Sequence, residues 1–293
     1  MNSVIDSYHH SMFLEELRPI RHPVFVTRGP PDNNEVFVAG FMSNQVVVFR
    51  NEKWEVFAGG YYCNRKSLKG FDSCAILDGP FGMEFDGRSK FYVSSFGSDQ
   101  ILIFNLTSNK FIGAMGDSSS LNCPESIVFG PDGQLYVANF GDSNIVVFNV
   151  STGQSKIFAQ SEQLQGPEQI CFVGNNLFVT SHFNDQVLRY SSNGTLLNVV
   201  AHVDKPVGIV CKDDYIYVTS YTQNKIVEFD IKSREEKRTF RGKVRGPSGM
   251  YLTNDEHGEV LHVASYDNHR VIVFNTTHNA ARYALSGTFP PRF

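Results

Sequence analysis

The chain has 293 residues, a formal net charge of −4 and 13% aromatic residues, 25 of them Phe. That acidic balance gives no broad positive footprint for nucleic acid or for an anionic membrane surface. No run of about 18 apolar residues exists for a membrane-spanning helix.

Residues 1–20 read as an N-terminal extension without the apolar core that a signal peptide needs. From Arg21 to Phe293 one phrase then recurs six times: Val36–Phe41 (VFVAGF), Phe91–Phe96 (FYVSSF), Leu135–Phe140 (LYVANF), Leu177–His182 (LFVTSH), Ile216–Tyr221 (IYVTSY) and Leu261–Tyr266 (LHVASY). The anchoring valines Val38, Val93, Val137, Val179, Val218 and Val263 stand 55, 44, 42, 39 and 45 residues apart. That period belongs to propeller blades or other stacked units.

Within each unit the elements follow one order. A Pro-led apolar run comes first (Pro80–Phe85, Pro124–Phe129, Pro167–Phe172, Pro206–Val210, Pro247–Leu252), and a turn such as Pro131-Asp132-Gly133 leads into the recurring phrase. A third run follows (Gln45–Phe49, Gln100–Phe104, Asn144–Phe148, Lys225–Phe229), then a turn of Asn, Ser, Thr and Gly, then a fourth run such as Lys156–Ala159. β-branched and aromatic residues fill these runs, turn residues separate them, and no ten-residue stretch shows an amphipathic helical period. The expectation is an all-β chain: one six-bladed β-propeller of four-stranded antiparallel blades, residues 21–293, closed so that few sheet edges stay open.

The last unit, Val263–Phe274 (VASYDNHRVIVF), resembles the NHL-repeat family of propellers, whose units run Tyr-Val-Ala-Asp, a spacer, then Asn-x-Arg-Ile or Val. The resemblance spans Pro23 to Gly287. Two departures stand out: the family's Asp is Gly40, Ser95, Asn139, Ser181, Ser220 or Ser265 here, and its Arg persists only as Arg270. The resemblance implies the fold more than a chemistry, since such propellers include protein-binding modules, RNA binders, sensors and a few lyases.

Each unit's proline, Pro23, Pro80, Pro124, Pro167, Pro206 and Pro247, marks the loop that leads into an innermost strand at the mouth of the central channel. Two residues before these prolines stand Arg21, Asp78, Asn122, Gln165, Asp204 and Arg245; directly after them stand Val24, Phe81, Glu125, Glu168, Val207 and Ser248. Ring closure makes the last blade the neighbour of the first, so Arg21 and Arg245 are expected on one rim and Glu125 and Glu168 on the opposite one. Such a mouth suits a protein loop or a small polar ligand carrying charge. The aromatics Phe41, Phe96, Phe140, Tyr221 and Tyr266 recur one residue past the strand and serve either packing or ligand stacking; His182 breaks their series.

A similarity to regucalcin and gluconolactonase propellers implies an alternative, a metal-dependent hydrolase. Asp78-Gly79-Pro80 resembles their Glu-Gly-Pro element, and Asp78, Glu125, Glu168 and Asp204 would supply oxygen ligands to a hard cation such as calcium. Glu125 and Glu168 have a simpler reading as solvated rim charges. A lyase of the virginiamycin B type would need His and acidic residues converging on the channel, for which His22, His182 and His202 are candidates.

The five cysteines leave the compartment open. Cys123, Cys171 and Cys211 fall in or beside inner strands and read as small buried thiols, while Cys63 and Cys74 bracket a long loop and could pair in an oxidising compartment. Four triplets of the N-glycosylation type begin at Asn105, Asn149, Asn193 and Asn275, all at a recurring turn that favours Asn, Ser and Thr for backbone hydrogen bonds. A cytoplasmic location is expected from the residues as they stand, a secreted one if the natural start lies upstream. Between Lys232 and Arg245, seven basic residues face only Glu235 and Glu236, and the outer strand of the fifth blade is expected to carry part of this run.

Overall fold

Alternating valines, isoleucines and aromatics with turn residues at short intervals give strands that bury both faces against neighbouring sheets. The structure, a computed structural model, describes residues 20–30, 35–51, 53–59, 77–255, 258–276 and 280–285. Among the described residues, twenty-four strands form six antiparallel sheets of four, each sheet built from consecutive strands.

Blade 1 is β1 (Pro23–Arg28), β2 (Val36–Gly40), β3 (Gln45–Arg50) and β4 (Lys53–Gly59); blade 2 is β5 (Pro80–Phe85), β6 (Lys90–Ser95), β7 (Gln100–Asn105) and β8 (Phe111–Met115). Blade 3 is β9 (Pro124–Phe129), β10 (Leu135–Asn139), β11 (Asn144–Phe148) and β12 (Ser155–Gln160); blade 4 is β13 (Pro167–Val173), β14 (Asn176–Ser181), β15 (Gln186–Tyr190) and β16 (Leu196–His202). Blade 5 is β17 (Pro206–Lys212), β18 (Tyr215–Ser220), β19 (Lys225–Asp230) and β20 (Glu236–Phe240); blade 6 is β21 (Pro247–Asp255), β22 (Gly258–Ser265), β23 (Arg270–Asn275) and β24 (Ala280–Leu285). The first strands pack in a ring, β1 on β5, β5 on β9, and onward through β21 back to β1. The six-bladed, four-stranded propeller expected from the repeats is the observed fold.

The anchoring valine of the repeated phrase is buried in every blade, Val93, Val137, Val179, Val218 and Val263 completely and Val38 nearly so. Aromatic residues seal the blade interfaces: Phe37 of blade 1 meets Phe91 of blade 2 with ring centroids 4.9 Å apart, and Phe57 meets Phe91 at 5.0 Å. Full burial of each such ring contributes about 1.5–3 kcal/mol.

Two belts of side chains tie the blades together, and both follow from the repeat. The first lies at the residue before each third strand, which adopts the left-handed conformation in all six blades: Asn44, Asp99, Ser143, Asp185, Asn224 and His269. Each accepts a hydrogen bond from the backbone N–H just ahead of the next blade's proline: Gly79 to Asn44 (2.9 Å), Cys123 to Asp99 (2.8 Å), Gly166 to Ser143 (3.1 Å), Lys205 to Asp185 (3.0 Å), Gly246 to Asn224 (2.8 Å) and His22 to His269 Nδ1 (3.1 Å). The last of these closes the ring from blade 6 to blade 1.

The second belt is nearer the axis, at the residue after the valine. The Thr180 hydroxyl accepts from Gln169 N–H (3.0 Å) in its own blade and donates to the Val207 carbonyl of the next blade (2.7 Å). Thr219 likewise accepts from Gly208 N–H (2.6 Å) and contacts the Ser248 carbonyl (3.3 Å), and Ser94 joins Gly82 N–H to the Glu125 carbonyl. Where the repeat has Ala264 instead, Ser248 on the first strand donates across to the Val24 carbonyl of blade 1 (3.0 Å). Backbone groups buried between blades are thereby satisfied, as a dry interior requires.

One expectation is corrected. Cys171 on β13 and Cys211 on β17 are a disulfide rather than two buried thiols, with Cα atoms 5.8 Å apart. The two inner strands run side by side in adjoining blades, a contact between residues 40 apart that the repeat spacing did not reveal. Cys123 remains a half-buried thiol, and Cys63 and Cys74 lie outside the described residues, as does the extension before residue 20.

Candidate functional site

Antiparallel order fixes which groups can meet at the mouth. First strands begin there and second strands end there, so the residue after each proline and the last residue of each repeated phrase share one face. Glu125 and Glu168 open β9 and β13 on adjoining blades and point inward, only 4% and 7% exposed. They are not solvated rim charges. Burial first, and then the facing Glu168 carboxyl together with a hydrogen bond to it, hold the Glu125 carboxyl well above its usual range. Its Oε2 atom is buried without a hydrogen-bond partner.

His182 follows β14 directly and takes the place where other blades have an aromatic ring. Its Nδ1 lies 3.0 Å from Glu168 Oε1, at ion-pair distance but off the line of a hydrogen bond, since Nδ1 has no aligned partner. The three side chains form a row across blades 3 and 4. Phe183 beside His182 is 56% exposed, its ring 5.3 Å from Phe140 and 5.3 Å from His182.

The recurring aromatics continue around the rim as a half-buried crown. Phe41 meets Phe96 at 5.4 Å, Phe96 meets Phe140 at 6.4 Å, Tyr221 meets Tyr266 at 6.3 Å, and Tyr266 meets His22 at 4.2 Å. They pack on one another and still present an edge to solvent, so packing and ligand stacking are compatible roles. Tyr221 donates to Asp267 Oδ1 (3.0 Å); burial and that carboxylate push its phenol up to about 12, and the Glu168 charge reaches it as well.

Arg21 and Arg245 are exposed, and their loops are held by the same loop of blade 6. Asp267 N–H donates to the Arg245 carbonyl (3.2 Å), while His22, next to Arg21, donates to His269. The imidazole of His269 is held below its ordinary value by burial first, then by His22 and the nearby Arg21 charge. Asp78 and Asp204 do not join Glu125 and Glu168. The Asp78 carboxylate lies over Gly97, where an added Cβ would come within 2.5 Å of its Oδ2, and Asp204 accepts from the Thr222 hydroxyl. Among the described residues no group of three or more His, Cys, Asp or Glu is close enough to hold a metal ion. His202 is exposed at the end of β16.

The basic run is spread over blade 5. Arg238 on β20 pairs with buried Glu228 on β19 (Nε to Oε2, 2.6 Å) and stands over the Phe240 ring at 5.5 Å, while Lys237 meets Glu235 at 3.2 Å. Among the described residues no helix is long and apolar enough to cross a membrane.

Comparison with known proteins agrees with the repeat reading. The NHL repeat model matches residues 121–148, the stretch running from ahead of β9 through β11. No curated protein sequence matches the chain. Solved structures with the same fold include a streptogramin B lyase (13% identity, 94% of this chain and 87% of that one, TM-score 0.67). A catalytically inactive virginiamycin B lyase from Staphylococcus aureus with quinupristin is similar at 15% identity, 93% and 87% coverage and TM-score 0.65. A chain of a nidogen/laminin complex is similar at 15% identity, 76% and 81% coverage and TM-score 0.63. The chain is thus an NHL-repeat-like six-bladed β-propeller, a fold shared by a lyase and by a propeller found in a protein complex.

Proposed function

We propose that this propeller is a binding platform whose mouth face receives a protein loop or a small polar ligand bearing a basic group. The observation that carries the reading is the Glu125–Glu168 pair: two carboxyl groups buried side by side with Glu125 Oε2 unpartnered. A buried polar atom without a partner costs about 1–3 kcal/mol, and an incoming ammonium or guanidinium would supply the missing hydrogen bond and charge. Phe183 and Phe140 would cover the aliphatic stem of such a group, and Arg21 and Arg245 across the mouth would meet an acidic group on the same ligand. The nidogen/laminin neighbour supports a protein as the occupant, because there the same fold is part of a protein complex.

The test is selection from a randomised peptide library against the full chain. Peptides with a basic residue are expected to be enriched, and the Glu125→Gln/Glu168→Gln variant is expected to bind them at least about tenfold more weakly, the loss of one charged hydrogen bond. Equal binding by that variant would overturn the reading. Reversal of Arg21 and Arg245 to Glu should change which acidic positions are selected.

A second reading is favoured by the Glu168–His182 contact, which places an imidazole beside a carboxyl group in the manner of a general acid or base. It would make the protein a lyase. Consumption of quinupristin by the wild-type chain and not by His182→Ala would support it, and an unchanged compound would leave the platform. A calcium-assisted form would start from Glu125 and Glu168, and a calcium-induced rise in melting temperature abolished by Glu125→Gln is its signature.

The Cys171–Cys211 bridge supports an oxidising compartment for the platform, the secreted alternative that the sequence leaves open.

A further inference from the structure

The turns between third and fourth strands all lie on the face away from the mouth, because strand direction alternates within each blade. The four glycosylation-type triplets differ there in what their asparagine can do. Asn275 is fully buried at the end of β23, and Asn105 is half-buried at the end of β7. Asn149 and Asn193 are exposed, in the turns of adjoining blades 3 and 4.

Each exposed asparagine uses only its carbonyl oxygen in the turn. Asn149 Oδ1 accepts from Ser151 N–H (3.0 Å) and Thr152 N–H (3.2 Å), and Asn193 Oδ1 accepts from Thr195 N–H (3.2 Å). Their Nδ2 atoms are left for other chemistry. Turn formation explains the asparagine but not the hydroxyl residue two places on. Blade 5 builds the same turn with Asp230, whose Oδ1 accepts from Lys232 N–H (2.9 Å) and Ser233 N–H (2.7 Å), and there the second place is a lysine. Ser151 and Thr195 enter these turns through their backbone N–H, so the Asn-x-Ser/Thr spacing is additional to what the backbone requires.

We propose that Asn149 and Asn193 are N-linked glycosylation sites on the face opposite the mouth. The inference rests on the oxidising compartment drawn above, for which the Cys171–Cys211 bridge is an observation independent of the triplets. In the reaction the asparagine Nδ2 bonds to C1 of a lipid-pyrophosphate-linked oligosaccharide. The bond from C1 to the phosphate oxygen breaks, the lipid pyrophosphate leaves, and the amide nitrogen gives up one proton. Carbohydrate on these two turns would shield the underside of blades 3 and 4 while the Glu125–Glu168 mouth above stays open.

The test is mass spectrometry of the full chain taken from its own cells, before and after an amidase that releases N-linked glycans and leaves Asp in place of Asn. The expected result is one glycan at Asn149 and one at Asn193, conversion of both to Asp, and an unmodified Asn275. Bare asparagines at both positions, or modification of Asn275 alone, would overturn the proposal. In a second arm, Ser151→Ala with Thr195→Ala keeps the asparagines and their turn hydrogen bonds and should remove both glycans, whereas Ser151→Thr with Thr195→Ser should keep them; glycans persisting on the alanine variant would also overturn it. Failure here is separable from failure of the platform: a bare chain that still selects basic peptides loses only this inference.

Discussion

Glu84, on the innermost strand of blade 2, shows how one buried carboxyl sets a pH dependence. Burial pushes it up to about 7, only partly opposed by the Phe85 N–H that donates to its Oε1 (3.0 Å). A carboxyl whose folded value is raised stabilises the fold while protonated, and that contribution is lost as pH rises from its unfolded value of 4.5 through about 7. Glu84→Gln should therefore flatten the fall in melting temperature over that window; an unchanged pH profile would show that Glu84 does not titrate there. His269 works in the opposite sense. Its imidazole accepts the His22 N–H and is held below 6.5, so the link is intact above 6.5 and weakens as pH falls below it. His269→Asn, which keeps an acceptor as in blades 1 and 5, should remove that acid sensitivity when melting is followed below pH 6.5.

At the scale of the element, the repeated phrase divides its work residue by residue. The valine anchors the blade and the next residue bridges to the neighbouring first strand where it carries a hydroxyl. Thr180→Val, which keeps the shape and deletes the oxygen, should cost about 1–3 kcal/mol because it strands the Gln169 N–H and the Val207 carbonyl. Chemical denaturation measures it, and a cost near zero would mean that water replaces the hydroxyl. The strands, their order and the anchoring valines were legible in the sequence because runs of β-branched and aromatic residues and the turn chemistry between them are local. The clamps were not, since Thr180 and Ser94 look like ordinary strand residues until the adjacent blade is in place. The Cys171–Cys211 bridge was hidden for the same reason. It closes a 40-residue loop, worth roughly 4 kcal/mol by chain entropy. Melting with and without reductant should show a loss of that order, absent in a Cys171→Ala/Cys211→Ala variant.

Across the whole molecule, closure converts distance along the chain into neighbourhood. The ring is shut by His22 on His269 and by Ser248 on Val24, contacts between residues more than two hundred positions apart. The same closure ties the loops carrying Arg21 and Arg245 to one segment of blade 6 and leaves Glu125, Glu168 and His182 on blades 3 and 4 across the mouth. Sequence position identified Glu125 and Glu168 as neighbours but not as a buried pair, because burial depends on the depth of the strand within the ring. It likewise placed Asp78 and Asp204 in equivalent loops without revealing that their carboxylates turn toward Gly97 and Thr222. The mouth face thus carries two buried carboxyl groups, Glu125 and Glu168, on adjoining blades.

A cation seated against that pair favours the ionised form of Glu125, whose carboxyl is held well above its usual range, so binding is linked to proton release. Titration calorimetry of a selected basic peptide into the full chain, repeated in buffers of different ionisation enthalpy, counts protons released on binding. The expected result is net proton release with the wild-type chain, abolished in Glu125→Gln; binding with the same heat in every buffer would contradict a mouth built around Glu125 and Glu168.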